Sequence, residues 1–269
     1  MADAPTELTR VVTDGLRRIL AAEPHADNLA KALRYLAKWR SELIGNTIAA
    51  RSGSVVLSGP FAGMNYPVRA AEGARAARLL GAYEASLAPV IETIVARGYD
   101  LVIDVGSAEG YYAVGLARRM PGARVLACDE NPKAQDLCRT LAAANGVADR
   151  VILQGRLDHA GFDQCRGHRS LVICDIEGAE EALLDPGEAP GLLEADILVE
   201  AHDCLKPGLS AVLAARFAAS HRVRRIDRRI DASGLPAWME SLGDLDRLLA
   251  LWEWRIGPTP WLWMEREEP

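Results

Sequence analysis

From residue 101 onward, short apolar runs alternate with helix-compatible stretches, and few architectures accept that order. The runs occupy 101–105, 125–128, 151–153, 171–174 and 197–199, and helical segments fill 109–119, 132–145, 179–184 and 209–219. Runs this short and this apolar suit strands buried on both faces, and strand–helix alternation predicts a parallel sheet covered on each side. A strand at 222–230, a helix at 240–251 and a last strand at 260–265 complete the pattern. The expected fold is α/β: a doubly wound, mostly parallel sheet spanning 100–269.

The first 99 residues read differently. Leu8, Val11, Val12, Leu16, Ile19 and Leu20 share one face of a helix over 6–22, with Thr6 as its cap. A second amphipathic helix is expected over about 27–44, capped by Asp27. Gly59-Pro60 and Gly63 interrupt strand formers over 54–68, which predicts two short strands around a turn. A helical stretch follows over 72–97, broken near Gly81 and Pro89. The segment 1–99 is thus a helical extension with a short hairpin, serving as a lid or an oligomer contact.

Composition narrows the function class. The 269 residues are 49% hydrophobic and 25% charged, the balance of a globular enzyme and not of a disordered chain. A net charge of −6 argues against non-specific nucleic-acid binding. The uncharged apolar runs fall short of the ~18 residues that cross a bilayer, and the acidic N-terminus lacks the apolar stretch of a signal peptide. Five cysteines (Cys128, Cys138, Cys165, Cys174, Cys204), never spaced C-x-x-C, read as reduced thiols of a cytoplasmic protein with no zinc cluster.

The most informative stretch is Leu-Val-Ile-Asp-Val-Gly-Ser-Ala-Glu-Gly-Tyr-Tyr, residues 101–112. A buried strand ends at Gly106, and the chain turns through Ser107, Ala108 and Glu109 into a helix near Gly110. Small residues let a ligand approach the backbone there, and the helix start offers free N–H groups. The next strand ends at Asp129, where an open α/β sheet places the acid that accepts from ribose hydroxyls. The dinucleotide fingerprint fails twice, at Ala108 and Tyr111, so NAD is disfavoured. Asp104 suits a ligand with sulfonium and ammonium groups better than a pyrophosphate.

At these residues the sequence resembles the class I S-adenosylmethionine-dependent methyltransferases. Asp104-Val105-Gly106-Ser107-Ala108-Glu109-Gly110 matches the family's first-strand motif, with Ala108 in place of the commoner glycine. Asp175-Ile176-Glu177-Gly178-Ala179-Glu180 is similar to the D-x-E-G-A-E stretch of the FkbM-like branch. The resemblance covers roughly residues 100–205 and implies a Rossmann-like methyltransferase sheet, with S-adenosyl-L-methionine as cofactor and S-adenosyl-L-homocysteine as product. By the same resemblance, Asp104 and the turn Gly106, Ser107, Ala108 and Gly110 hold the methionine part, and Asp129 the ribose. Gly155, Arg156, Leu157 and Asp158 border the adenine, while Asp175 faces both cofactor and acceptor. Tyr111 and Tyr112 open the helix after the turn; one is expected on the cofactor and is assigned to Tyr112, the other inside.

Ligands of such sheets lie outside the carboxyl ends of the strands. Asp175 and Glu177 end the fourth strand, and Glu200, His202 and Asp203 follow the fifth. His202 is the candidate general base, because an imidazole near its ordinary pKa of ~6.5 takes protons at neutrality. Asp175 is its catalytic partner. Asp175, His202 and Asp203 form an alternative set for a divalent cation, although histidine fits Mg²⁺ poorly; the site is read without a metal. Glu177 and Glu180 read as charges at a helix start.

Leu80–Glu84 and the Gly59–Met64 turn read as a helix break and a tight turn, or else as a cover over the cofactor. Trp261-Leu262-Trp263-Met264 reads as a buried strand, with Trp238 or Trp252 as an alternative aromatic wall for the acceptor. The arginines of 222–229 read as a charged edge strand rather than an RNA strip.

The expected reaction is O-methylation of a small-molecule acceptor, and no Asn/Asp-Pro-Pro-Tyr/Phe motif for amide or base nitrogen is present. Other readings keep the cofactor: aminocarboxypropyl transfer or cyclisation, RNA methylation, or a non-catalytic partner protein. A homo-oligomer through the N-terminal helices and no membrane association are expected.

Overall fold

A computed structural model describes residues 6–71 and 73–267 of the chain. Residues 1–5, and with them most of the N-terminal stretch that bears on a signal peptide, lie outside the described residues. Among those described, the strands β1 (Leu101–Val105), β2 (Arg124–Cys128), β3 (Val151–Gln154), β4 (Ser170–Cys174), β5 (Ala195–Glu200), β6 (His221–Ile226) and β7 (Trp261–Arg266) form one sheet in the order β3-β2-β1-β4-β5-β7-β6. All pairs from β3 to β5 are parallel. β7 inserts antiparallel between β5 and β6. The doubly wound, mostly parallel sheet is therefore present, with its order reversing at β1 and β4, where a crevice must open.

Alternation along the strands divides the core in two. Val102, Ala127, Ile173 and Leu198 face one cluster, and Ile103, Leu126, Val172 and Ile197 face the other. The first is closed by α5 (Tyr111–Arg119) and α6 (Pro132–Ala144), the second by α8 (Leu209–Phe217). α7 (Glu180–Leu183) is a single turn after β4, and α9 (Asp244–Leu251) precedes β7.

The N-terminal segment belongs to the first cluster. Ile44 and Ile48 of α2 (Ala26–Ser52), Phe61, Met64 and Tyr66 are buried in the same core as the sheet. α1 (Glu7–Leu20) starts at Thr6, whose hydroxyl accepts from the Thr9 amide. The α2 cap is His25 and not Asp27, and the helix runs past 44 to Ser52. Gly45 does not end it, because α2 presses there on the Ala76 backbone. In place of two strands over 54–68, a single antiparallel bridge joins Val55 to Asn65. α3 (Arg75–Leu80) stops at Gly81 with φ +74°, and α4 (Ala88–Arg97) begins with Pro89 in its first turn, so proline starts that helix rather than breaking it. By length and composition Arg75–Arg97 would suffice to cross a membrane; here it is two helices whose Leu79, Leu80, Ile91 and Ile94 pack into the core. Leu8, Val11, Leu20, Leu29 and Leu33 stay exposed on α1 and α2.

The arginine run forms sheet-edge strand β6, which ends at Ile226. Arg222 pairs with Glu265, Arg225 with Asp203 and Asp227, and Arg228 with Glu253. These pairs suit a protected edge strand.

Candidate active site

The turn after β1 is fixed on three sides. Gly106 has φ +80°, and a Cβ there would lie 1.7 Å from the Asp175 carbonyl oxygen, so β1 and β4 approach at a spacing only glycine permits. The amides of Gly106 and Ser107 donate to the Cys128 carbonyl at the end of β2. Asp129 accepts from the Ala108 amide through Oδ2 at 2.9 Å and from the Asn131 amide through Oδ1 at 2.8 Å. It therefore braces both turns that a nucleoside would touch, and its remaining lone pairs can still receive hydroxyls. Glu109, fully buried, accepts from the Tyr66 hydroxyl and the Ala71 amide and pairs with Arg78 at 2.9 Å, which locks the turn to the N-terminal segment.

A cavity of ≈ 530 Å³ opens beside this turn at the ends of β1, β2 and β4. Gly106, Ala108, Asp129, Arg156, Leu157 and Asp175 line it, as do Asp158 and the apolar Ile176, Ala179 and Leu183. Leu157 and Ile176 give this cavity an apolar wall, and Asp129 gives it a carboxylate. Five expected residues do not line it: Gly155, which stops short of the cavity, and four at the glycine turn. Asp104 is buried under the turn with its carboxylate on the Ala113 amide and Oδ2 unpartnered. Ser107 is buried, and Gly110, with φ +90°, caps α5 against Cys138. Tyr112 donates its hydroxyl to Glu84 and packs on Phe61, Tyr111 and Trp261. Both tyrosines are packed inside, because helix α5 turns that face onto the core.

A second cavity of ≈ 500 Å³ meets the first at Gly106, Ala108, Asp175 and Glu177. His202 lies in its wall, almost wholly buried, on the loop after β5. Its Nδ1 is 2.7 Å from Glu180 Oε1, while Nε2 is 3.3 Å from Glu177 Oε2 and 3.7 Å from both Asp175 Oδ1 and Glu200 Oε2. Burial alone would lower the His202 pKa, but Glu180, Asp175 and Glu177 outweigh it and raise it above the ordinary imidazole value. The expectation of an unshifted imidazole is thus corrected. Asp175 is pushed up to about 7 by burial first and by the neighbouring Glu84, and Asp104 to about 7, chiefly by burial.

The opposite wall is a strap between α9 and β7. Its Arg255 pairs with Glu84, Glu200 and Glu253, and Trp254 is held by α2 through Arg34 and Lys38. Tyr83 and Trp254 line this cavity, whereas Trp238 and Trp252 do not; they sit under Arg51 and Arg34 elsewhere. Leu80–Glu84 and Gly59–Met64 do not cover the first cavity: Gly81 is wedged on the Ser58 carbonyl, and Phe61 and Met64 are core. Non-glycine residues with φ above +45° include Ala108, Glu177 and Trp254, all lining these cavities, and Glu84 behind Arg255. Such strain is characteristic of ligand sites.

The alternative cation set is not assembled. Asp203 accepts from the amide and hydroxyl of Ser210 and pairs with Arg225, away from both cavities. Asp175, Glu200 and His202 do bring one donor atom each within 4.8 Å of one another. Arg255 already lays positive charge on Glu200, and Glu177 is the group nearest Nε2. Glu84, Glu180 and Arg255 were absent from the sequence-derived site or had another role there, and no local spacing marks them.

No protein-family model matches the chain. Over 73 residues it is 40% identical to the release factor glutamine methyltransferase of Chlorobaculum tepidum, and the match spans 25% of each protein, so the chain matches about a quarter of that relative's length. Among solved structures it is similar to an O-methyltransferase from Bacillus cereus in complex with SAH, with 14% identity and a TM-score of 0.45 over 96% of this chain and 97% of the other. It is also similar to an O-methyltransferase from Streptomyces achromogenes involved in tomaymycin synthesis, in complex with SAM, at 13% identity and a TM-score of 0.43 over 97% and 100% of the two chains.

Proposed function

We propose that this chain is an S-adenosylmethionine-dependent methyltransferase of the FkbM-like branch that methylates a hydroxyl oxygen of a small-molecule acceptor. The observation that carries the reading is the pair of cavities joined at the strand ends: one built for a nucleoside around Asp129 and Leu157, the other holding His202. The motif around Gly106 supports it, as does the local identity to a methyltransferase. When bound, S-adenosylmethionine supplies a methyl carbon on a sulfonium. The chain supplies the rest. Asp129 fixes the ribose hydroxyls, and Leu157 and Ile176 flank the base. Gly106 and Ala108 keep their part of the shared rim free of side-chain bulk, which would let an acceptor oxygen in the second cavity approach that carbon. His202 Nε2 takes the acceptor's hydroxyl proton, and Asp175 beside it stabilises the imidazolium formed.

The test is mass spectrometry of a panel of hydroxylated acceptors incubated with S-adenosylmethionine. The expected product gains one CH₂, and His202→Ala is expected to lose on the order of 10²-fold or more in kcat with S-adenosylhomocysteine affinity within about twofold of wild type. Turnover should climb as pH rises through the raised His202 pKa, since only the neutral ring accepts a proton. Gain of an aminocarboxypropyl group, or full activity in His202→Ala, would contradict the proposal.

A further inference from the structure

We infer that Glu180 is a positioning residue for His202: its carboxylate fixes the ring in the tautomer whose bare Nε2 faces the second cavity. The inference rests on the reading of His202 as the base, and deepens it.

Glu180 is fully buried at the first position of α7, the last residue of the Asp175–Glu180 motif. Its Oε1 accepts from the Ile176 and Gly178 amides, each at 3.2 Å, and lies 2.7 Å from His202 Nδ1. That oxygen is thereby fixed by the turn after β4, and the turn is fixed in its own right because the Asp175 amide donates to Val105. Burial opposes ionisation of Glu180, but the His202 ring and the backbone amides overcome it and hold the carboxyl below its usual range. An ionised carboxylate only accepts hydrogen bonds. The proton of the neutral ring must therefore sit on Nδ1, and the lone pair on Nε2, beside Asp175, Glu177 and Glu200. A carboxylate that orients an imidazole in this way governs its reactivity without touching the substrate. Glu180 does carry its charge at the helix start, but it is buried and its oxygen is shared between the turn amides and the His202 ring.

The experiment uses full-length protein labelled with ¹⁵N-histidine, observed by long-range ¹H–¹⁵N NMR at about pH 9, where neutral imidazole prevails. His202→Asn assigns the signal. Wild type is expected to carry the His202 proton on Nδ1. Glu180→Gln should keep that tautomer, because its amide oxygen can take the same three donors, while the His202 pKa falls by about one unit or more on loss of the charge. Glu180→Ala should move the proton to Nε2, the form free imidazole side chains prefer. A wild-type proton on Nε2, an unmoved proton in Glu180→Ala or an unchanged His202 pKa in Glu180→Gln would each overturn the inference. Should Glu180→Ala fail to fold, the Glu180→Gln titration decides alone. S-adenosylhomocysteine binding on the same samples separates the two claims: wild type that does not bind it defeats the methyl-transfer reading and leaves the tautomer result standing.

Discussion

Asp104 shows how a single side chain can be held against its own stability. Its carboxyl is buried, accepts from the Ala113 amide, has Oδ2 unpartnered and is pushed up to about 7. A carboxyl whose folded pKa lies above its unfolded value binds more protons in the native state, so it costs stability as pH rises from about 4 towards about 7. Asp104→Asn keeps the acceptor for Ala113 and removes that charge. The variant should therefore gain thermal stability over wild type at about pH 8 and little or none at about pH 4, where wild type holds its proton. Calorimetric melts at both values check this, and an equal shift at both would contradict it. The residue's position under the turn also shows why an acid there reads as a ligand contact in sequence and is a supporting group in the structure.

At the scale of elements, the β1 turn is the part on which the cavities depend. Gly106→Ala would drive a methyl into the Asp175 carbonyl and force β1 and β4 apart. The expected cost is about 1–3 kcal/mol of stability together with a loss of nucleoside affinity, and chemical denaturation and calorimetry measure the two; wild-type values would show that the spacing is not needed. The sheet elements are legible in the sequence because strands buried on both faces leave apolar runs ended by Gly106 or Asp129. The end of α2 is not, since Gly45 is a contact with α3 and resembles a stop. The pairing of His202 with Glu180 escaped because 22 residues and a turn separate them. Glu84 and Arg255, 171 residues apart, meet only once the strap folds over the sheet.

On the scale of the whole molecule, Arg255 joins three regions: Glu84 of the N-terminal segment, Glu200 at the end of β5 and Glu253 of its own strap. Glu109, at the glycine turn, makes a second tie through Arg78 and Tyr66. The N-terminal segment is part of the core and contributes Lys38, Glu42 and Tyr83 to the wall of the second cavity. Arg255→Met would leave the buried carboxylates of Glu84 and Glu200 without their cation, while Glu253 keeps Arg228, and breaking a buried pair costs about 3–5 kcal/mol. Urea denaturation should register a loss of that order, partly relieved by adding Glu84→Gln; an unchanged midpoint would show that the network carries no stability.

The central claim is that the ≈ 530 Å³ cavity is a nucleoside site in which Asp129 holds the ribose. Titration calorimetry with S-adenosylhomocysteine, in EDTA and then with Mg²⁺, tests it most directly, on wild type and Asp129→Ala. The account predicts binding that needs no metal and weakens in Asp129→Ala by ~1.5–3 kcal/mol, the loss of one charge-assisted pair. No binding under either condition, or equal affinity in the variant, would contradict it.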